Sequence, residues 1–201
     1  MSNVLEQTKT VYPIEIYVSY PWAKDEKNET ISVRSDDRWK GLRKLINSVC
    51  NEVIIRAKKR RSITALDIRI RRLRGCHGQF LLNTLTNRIK RSDILIMDIG
   101  NDAGDGLNHN VLIELGMAIG LSKFDSKGLF VLKPVHLPLP SDLNGLLTTE
   151  YKLDKRTIVP IDLVGFRAAL RAVLFEIGQK RDMIGPSQTP EIEIEDEEAD
   201  V

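Results

Sequence analysis

Residues 94 to 99, Ile-Leu-Ile-Met-Asp-Ile, are apolar except for Asp98. A strand with one wet face alternates apolar and polar side chains. A strand covered on both faces has no such need. The run therefore predicts a central strand that ends at Asp98 beneath helices on both sides. Few architectures other than a layered α/β fold place a strand that way.

The rest of the chain supplies the layers. Residues 13 to 19 alternate and are rich in β-branched side chains, which predicts a first strand running into Tyr20-Pro21-Trp22. Residues 23 to 35 are polar and read as a loop. Ser35 or Asp36 is placed to cap a long helix over 37 to 60, striped by Trp39, Leu42, Leu45, Ile46, Val49 and Val53. A second strand is expected over 67 to 73, a turn at Arg74-Gly75-Cys76-His77-Gly78, and a helix over 79 to 90. After the central strand come a glycine and aspartate loop (100 to 106) and a helix around residues 108 to 120. A fourth strand at 129 to 132, a proline-rich loop, a short fifth strand at 157 to 159 and a helix over 163 to 180 complete the pass. This alternation implies a mostly parallel sheet of about five strands with helices on both faces and right-handed crossovers. One domain over 13 to 182 is expected, after a polar lead-in (1 to 12) and before an acidic, disordered tail (183 to 201).

Ligands of such sheets collect beyond the carboxyl ends of the strands, where the strand order reverses. Tyr20, Trp22, Arg74, His77 and Asp98 all sit at predicted strand ends. Glu114 sits in the second turn of a helix that starts there. It is the one carboxylate of Asn-His-Asn-Val-Leu-Ile-Glu-Leu-Gly-Met-Ala-Ile-Gly, and it shares the stripe of Val111, Leu115 and Ala118. Burying a charge is costly unless the charge is paired or used. A helical ion pair with one of the chain's thirty Lys and Arg residues is the structural alternative.

Several chemistries are disfavoured. No Gly-x-Gly-x-x-Gly or Walker loop follows the first strand, and no Gly-x-Ser-x-Gly elbow is present. His77, His109 and His136 lie in different loops without ligand spacing, so no metal and no cofactor are expected. Cys50 and Cys76 are too few for a disulfide framework. No signal peptide or membrane-length apolar run is read, and the expectation is a cytoplasmic protein without a membrane partner. What remains is a carboxylate-centred site. A fixed Glu suits chemistry at an anomeric carbon, where breaking a sugar-to-base bond builds positive charge on the ring. Tyr20 or Trp22 could stack on a base; Asp98, Asn108 and Asn110 could hold sugar hydroxyls. Plain packing serves Trp22 equally well, helix capping Asn108, and turn capping Asp98.

Ser92-Asp93-Ile94-Leu95-Ile96-Met97-Asp98-Ile99, followed by Asn108-His109-Asn110-Val111-Leu112-Ile113-Glu114-Leu115-Gly116-Met117-Ala118, resembles a pattern of the nucleoside 2-deoxyribosyltransferase-like and related bacterial TIR-like proteins. Tyr20-Pro21-Trp22 is similar to a strand-end segment of the former. Leu139-Pro140-Ser141-Asp142-Leu143-Asn144-Gly145-Leu146, running on to Tyr151, looks like a segment of the latter. The resemblance spans roughly residues 13 to 180 and implies a flavodoxin-like three-layer fold, cleavage of an N-glycosidic bond, and Glu114 as the catalytic group. Asn108 stands where the deoxyribosyltransferases often carry Asp, which favours the effector-like branch. Members of that branch split NAD or other nucleotides in anti-phage defence, or bind signalling nucleotides. The expectation is an N-glycosidase with a nucleoside, nucleotide or NAD as its ligand, working as a homo-oligomer, with a protein partner from a two-gene system as a further expectation. The alternative is a non-catalytic nucleotide sensor or partner-binding module.

Net charge is +2, yet residues 187 to 201 hold seven carboxylates and no Lys or Arg. Setting those seven aside leaves the remainder at +9. A basic body with an acidic tail suggests anionic ligands or a self-masking tail, or a tail that only keeps the protein soluble. On the second strand Arg69 and Arg71 share one face and Arg72 and Arg74 the other, which points to an edge strand or a partly exposed one. Arg74 is placed to meet a nucleotide phosphate. Without interleaved aromatic residues, nucleic acid is not favoured as a partner.

Overall fold

The computed structural model describes residues 13–20, 33–59, 67–72, 80–101, 106–121, 128–139, 143, 148–154 and 157–181. The expected lead-in and acidic tail lie outside these residues. In chain order the elements are β1 (Ile14–Ser19), α1 (Val33–Lys59), β2 (Ile68–Arg72), α2 (Phe80–Arg91), β3 (Ile94–Asp98), α3 (His109–Gly120), β4 (Leu129–Pro134), β5 (Thr148–Asp154), β6 (Thr157–Pro160) and α4 (Leu163–Lys180).

The strands form one sheet in the order β2-β1-β3-β4-β5-β6, parallel except for the antiparallel β5–β6 pair. The first five positions follow the flavodoxin-like order. Strand parity divides the core into two layers. Ile14, Ile16 and Val18 of β1, with Ile94 and Ile96 of β3, pack under α1 and α4. Tyr17, Leu95, Met97 and Val131 pack under α2 and α3. Every residue of β3 is buried, as the uninterrupted apolar run requires. Each fully buried Ile or Leu contributes about 1.5 to 3 kcal/mol, so β3 anchors both layers.

The two-faced arginine pattern of β2 has its reason in the topology, because β2 is an edge strand. One expectation needs correction. Ser35 and Asp36 lie inside α1, which begins at Val33, rather than at its cap. Acidic residues are well accommodated near a helix start, so the polar stretch continues the helix instead of stopping it. Among the described residues the sheet has six strands, one of which the sequence did not signal. Thr148–Asp154 (Thr-Thr-Glu-Tyr-Lys-Leu-Asp) has three charged residues and a weak local signal. It is held as a strand by pairing with β4 on one side and β6 on the other. Among the described residues no helix is long and apolar enough to cross a membrane.

Candidate active site

β1 and β3 are neighbours, but the helices that follow them lie on opposite faces of the sheet. Ser19 ends β1, Asp98 ends β3, and α3 begins beside them. This is the switch point at which α/β sheets open a crevice. The segments 21–32, 73–79 and 102–105, which follow β1, β2 and β3 at this end, lie outside the described residues.

Local sequence sets Glu114 in place. Asn108 has extended backbone angles (φ −92°, ψ 111°) and caps α3, its Oδ1 accepting the Val111 N–H at 3.1 Å. Val111, Leu115 and Ala118 then bury one stripe of the helix against the sheet. Glu114 borders that stripe, and its carboxylate meets β1, where Ser19 Oγ donates to Glu114 Oε2. Among the described residues no Lys or Arg pairs with Glu114, which sets aside the helical ion pair there. Burial pushes its carboxyl from an ordinary 4.5 up to about 7, against the opposing pull of the Ser19 hydrogen bond. Such a group exists in both protonation states near neutrality, as a proton-transfer or nucleophilic carboxylate requires.

Asp98 belongs to the opposite face. Its parity follows Ile94 and Ile96, toward α1. Arg38 Nε lies 2.8 Å from Asp98 Oδ2, and the Tyr151 hydroxyl donates to Asp98 Oδ1 at 2.7 Å. Arg38 also donates to the Tyr151 hydroxyl and, at 2.8 Å, to the carbonyl of Asn101. The Gly100 N–H reaches Asp98 Oδ1 at 3.2 Å, the turn-capping role allowed by the sequence. All three side chains are at most 3% exposed. Burial first, and then the Asp98 charge, raise the Tyr151 phenol, which stays neutral. This closed network ties β3, β5 and α1 together and fixes the path of the chain beyond β3.

The remaining candidates divide. Tyr20 was expected to frame a base, but it is 3% exposed and stacked on Trp39, with centroids 5.8 Å apart and planes at 12°. Arg72 covers the same Trp39 ring at 4.7 Å. Tyr20 lies at the α1 side of the sheet, where the apolar body of an aromatic ring gains most from packing. Asn108 is engaged as a helix cap, and Asn110 is exposed in the first turn of α3. Trp22, Arg74 and His77 lie outside the described residues. Glu114 and Asp98 thus share an end of the sheet but occupy different faces. Sequence reasoning missed Ser19 and Arg38 as site residues. Ser19 carried a weak signal, being the last residue of a strand that ends at the switch point. Arg38 carried none, since its partners are 60 and 113 residues away in the chain. Among the described residues no three His, Cys, Asp or Glu side chains gather as a metal ligand set. No family model, curated protein or solved structure matches the chain.

Proposed function

We propose that the chain is an N-glycosidase acting on a nucleoside or nucleotide, with NAD in the substrate class. The observation that carries this reading is Glu114, a half-buried carboxylate held by Ser19 at the switch point with its pKa raised to about 7. In the ionised form it attacks the anomeric carbon, or stabilises the oxocarbenium ion, as the sugar-to-base bond breaks. The bonding electrons leave with the base, which takes up a proton. Water, or a second base, then takes the sugar. Ser19 holds the carboxylate in one rotamer, so little reorganisation is needed during reaction. Asn110, exposed one turn before Glu114, is placed to meet sugar hydroxyls.

The test is chromatographic. Wild type and Glu114→Gln are incubated with NAD and a panel of ribo- and deoxyribonucleosides and nucleotides. Base released by wild type alone supports the reading. Equal release by the variant removes Glu114 from the chemistry. A second reading, a nucleotide sensor on the same scaffold, is favoured by Asp98, whose carboxylate is taken up by Arg38 and Tyr151. Calorimetric binding of a nucleotide that is never consumed would select it.

A further inference from the structure

A cleft of about 630 Å³ lies on the α2 side of the sheet, from the start of β1 as far as Tyr17, and neither Ser19 nor Glu114 is among its described lining residues. It is strongly basic, with Arg71, Arg88, Lys90, Arg91 and Arg181 on its walls. Among the described residues two carboxylates face them, and both are engaged: Glu15 with Arg71 at 3.0 Å and Asp93 with Arg181. Three of the cations come from the last turn of α2, where the helix dipole welcomes positive charge. That explains why the cations are tolerated, but not why they line a cleft together with cations from β2 and the end of α4.

We propose that this cleft receives the chain's own acidic segment, residues 187 to 201, as a salt-sensitive intramolecular latch. Three observations converge. The segment carries seven carboxylates and no cation, the complement of five cations against two paired acids. The chain arrives at the cleft by itself: Arg181, directly after α4, lines the wall and donates to the Pro13 carbonyl at 2.6 Å. The reach is sufficient. Glu191 lies ten residues beyond Arg181, and ten extended residues span up to about 33 Å. The whole of α2, at twelve residues, is only about 18 Å long. Tethering adds an effective concentration in the millimolar range, so weak exposed ion pairs are enough to hold the segment reversibly. Salt releases it, because exposed pairs are screened.

The test uses the full chain and a water-soluble carbodiimide, which joins carboxylates to lysine amines only where they touch. Exposed Lys40, Lys44 and Lys152 serve as internal references, and Lys180 is disregarded as a near neighbour in sequence. The expected result is coupling of the 187 to 201 carboxylates to Lys90 several-fold above the references. That excess should fall to the reference level in Arg91→Glu and in molar salt. Even coupling over all lysines, or preference for Lys40 and Lys44 on the basic face of α1, overturns the proposal. A mixture of isotopically heavy and light chains distinguishes the source. Intramolecular coupling gives no heavy–light pairs, whereas heavy–light pairs making up about half of the coupled product, as random pairing of copies requires, would place the segment on a neighbouring copy and refute the intramolecular latch.

Discussion

Replacing Glu114 by Gln should make the protein more stable at alkaline pH and leave it unchanged in acid. Proton binding is linked to folding. In the unfolded chain this carboxyl titrates near 4.5; in the folded chain burial raises it to about 7. The folded state therefore holds the proton more tightly. Below pH 4.5 both states are protonated, and the residue contributes no penalty. As pH rises from 4.5 to 7, the folded state loses stability by up to about 1.4 kcal/mol per pH unit. Above pH 7 the full cost applies, about 3 kcal/mol as an upper value, since the side chain keeps some solvent contact. Gln keeps the shape and can still accept from Ser19 Oγ, but it carries no charge to bury. Urea unfolding followed by circular dichroism would measure this at pH 4, 6 and 8.5. At pH 8.5 the variant's midpoint should lie higher by about 1 M or more, given typical denaturant slopes. At pH 4 the two curves should coincide. A constant difference across the pH range would refute the burial argument, and a variant less stable at pH 8.5 would reverse it.

Other outcomes follow from the same geometry. If Glu114 reacts as the carboxylate, kcat/KM rises with pH through a midpoint near 7; a profile flat from pH 5 to 8 would separate Glu114 from the rate. Arg38→Met leaves Asp98 buried without its cation and should cost about 3 to 5 kcal/mol, whereas Arg38→Met with Asp98→Leu should cost far less than the two single changes summed; additivity would show that the pair is not coupled. Gly100→Ala would bring a Cβ against the Tyr151 hydroxyl and within 2.7 Å of Pro134 Cγ, on backbone held by Asp98. It should cost about 1 to 3 kcal/mol, read as a lowered thermal midpoint, and no change in that midpoint would show that both Tyr151 and Pro134 give way.

The site was partly legible because two kinds of signal are local. Helical spacing placed Glu114 beside Val111 and Leu115, and Asn108 announced the start of α3. Both depend on neighbours within a turn or two of the same helix. The contacts that build the candidate site are not local. Ser19 meets Glu114 across 95 residues, and Tyr151 meets Asp98 across 53. Tyr20 shows the limit most plainly: a strand-end aromatic reads equally well as ligand platform or core, and Trp39 decides for core.

Taken alone, the sequence determined the layered α/β architecture, the solvent contact of β2 on both faces and the end of the sheet at which the strand-end side chains gather. It could do so because burial on one or two faces writes a period into the residues. Tertiary structure decided which face each strand-end residue serves. Strand parity under opposing helices sends Asp98 into a closed network with Arg38 and Tyr151 and leaves Glu114 with Ser19. It also decided that Thr148–Asp154 is a strand, because only the partners β4 and β6 supply the hydrogen bonds that its charged sequence does not advertise.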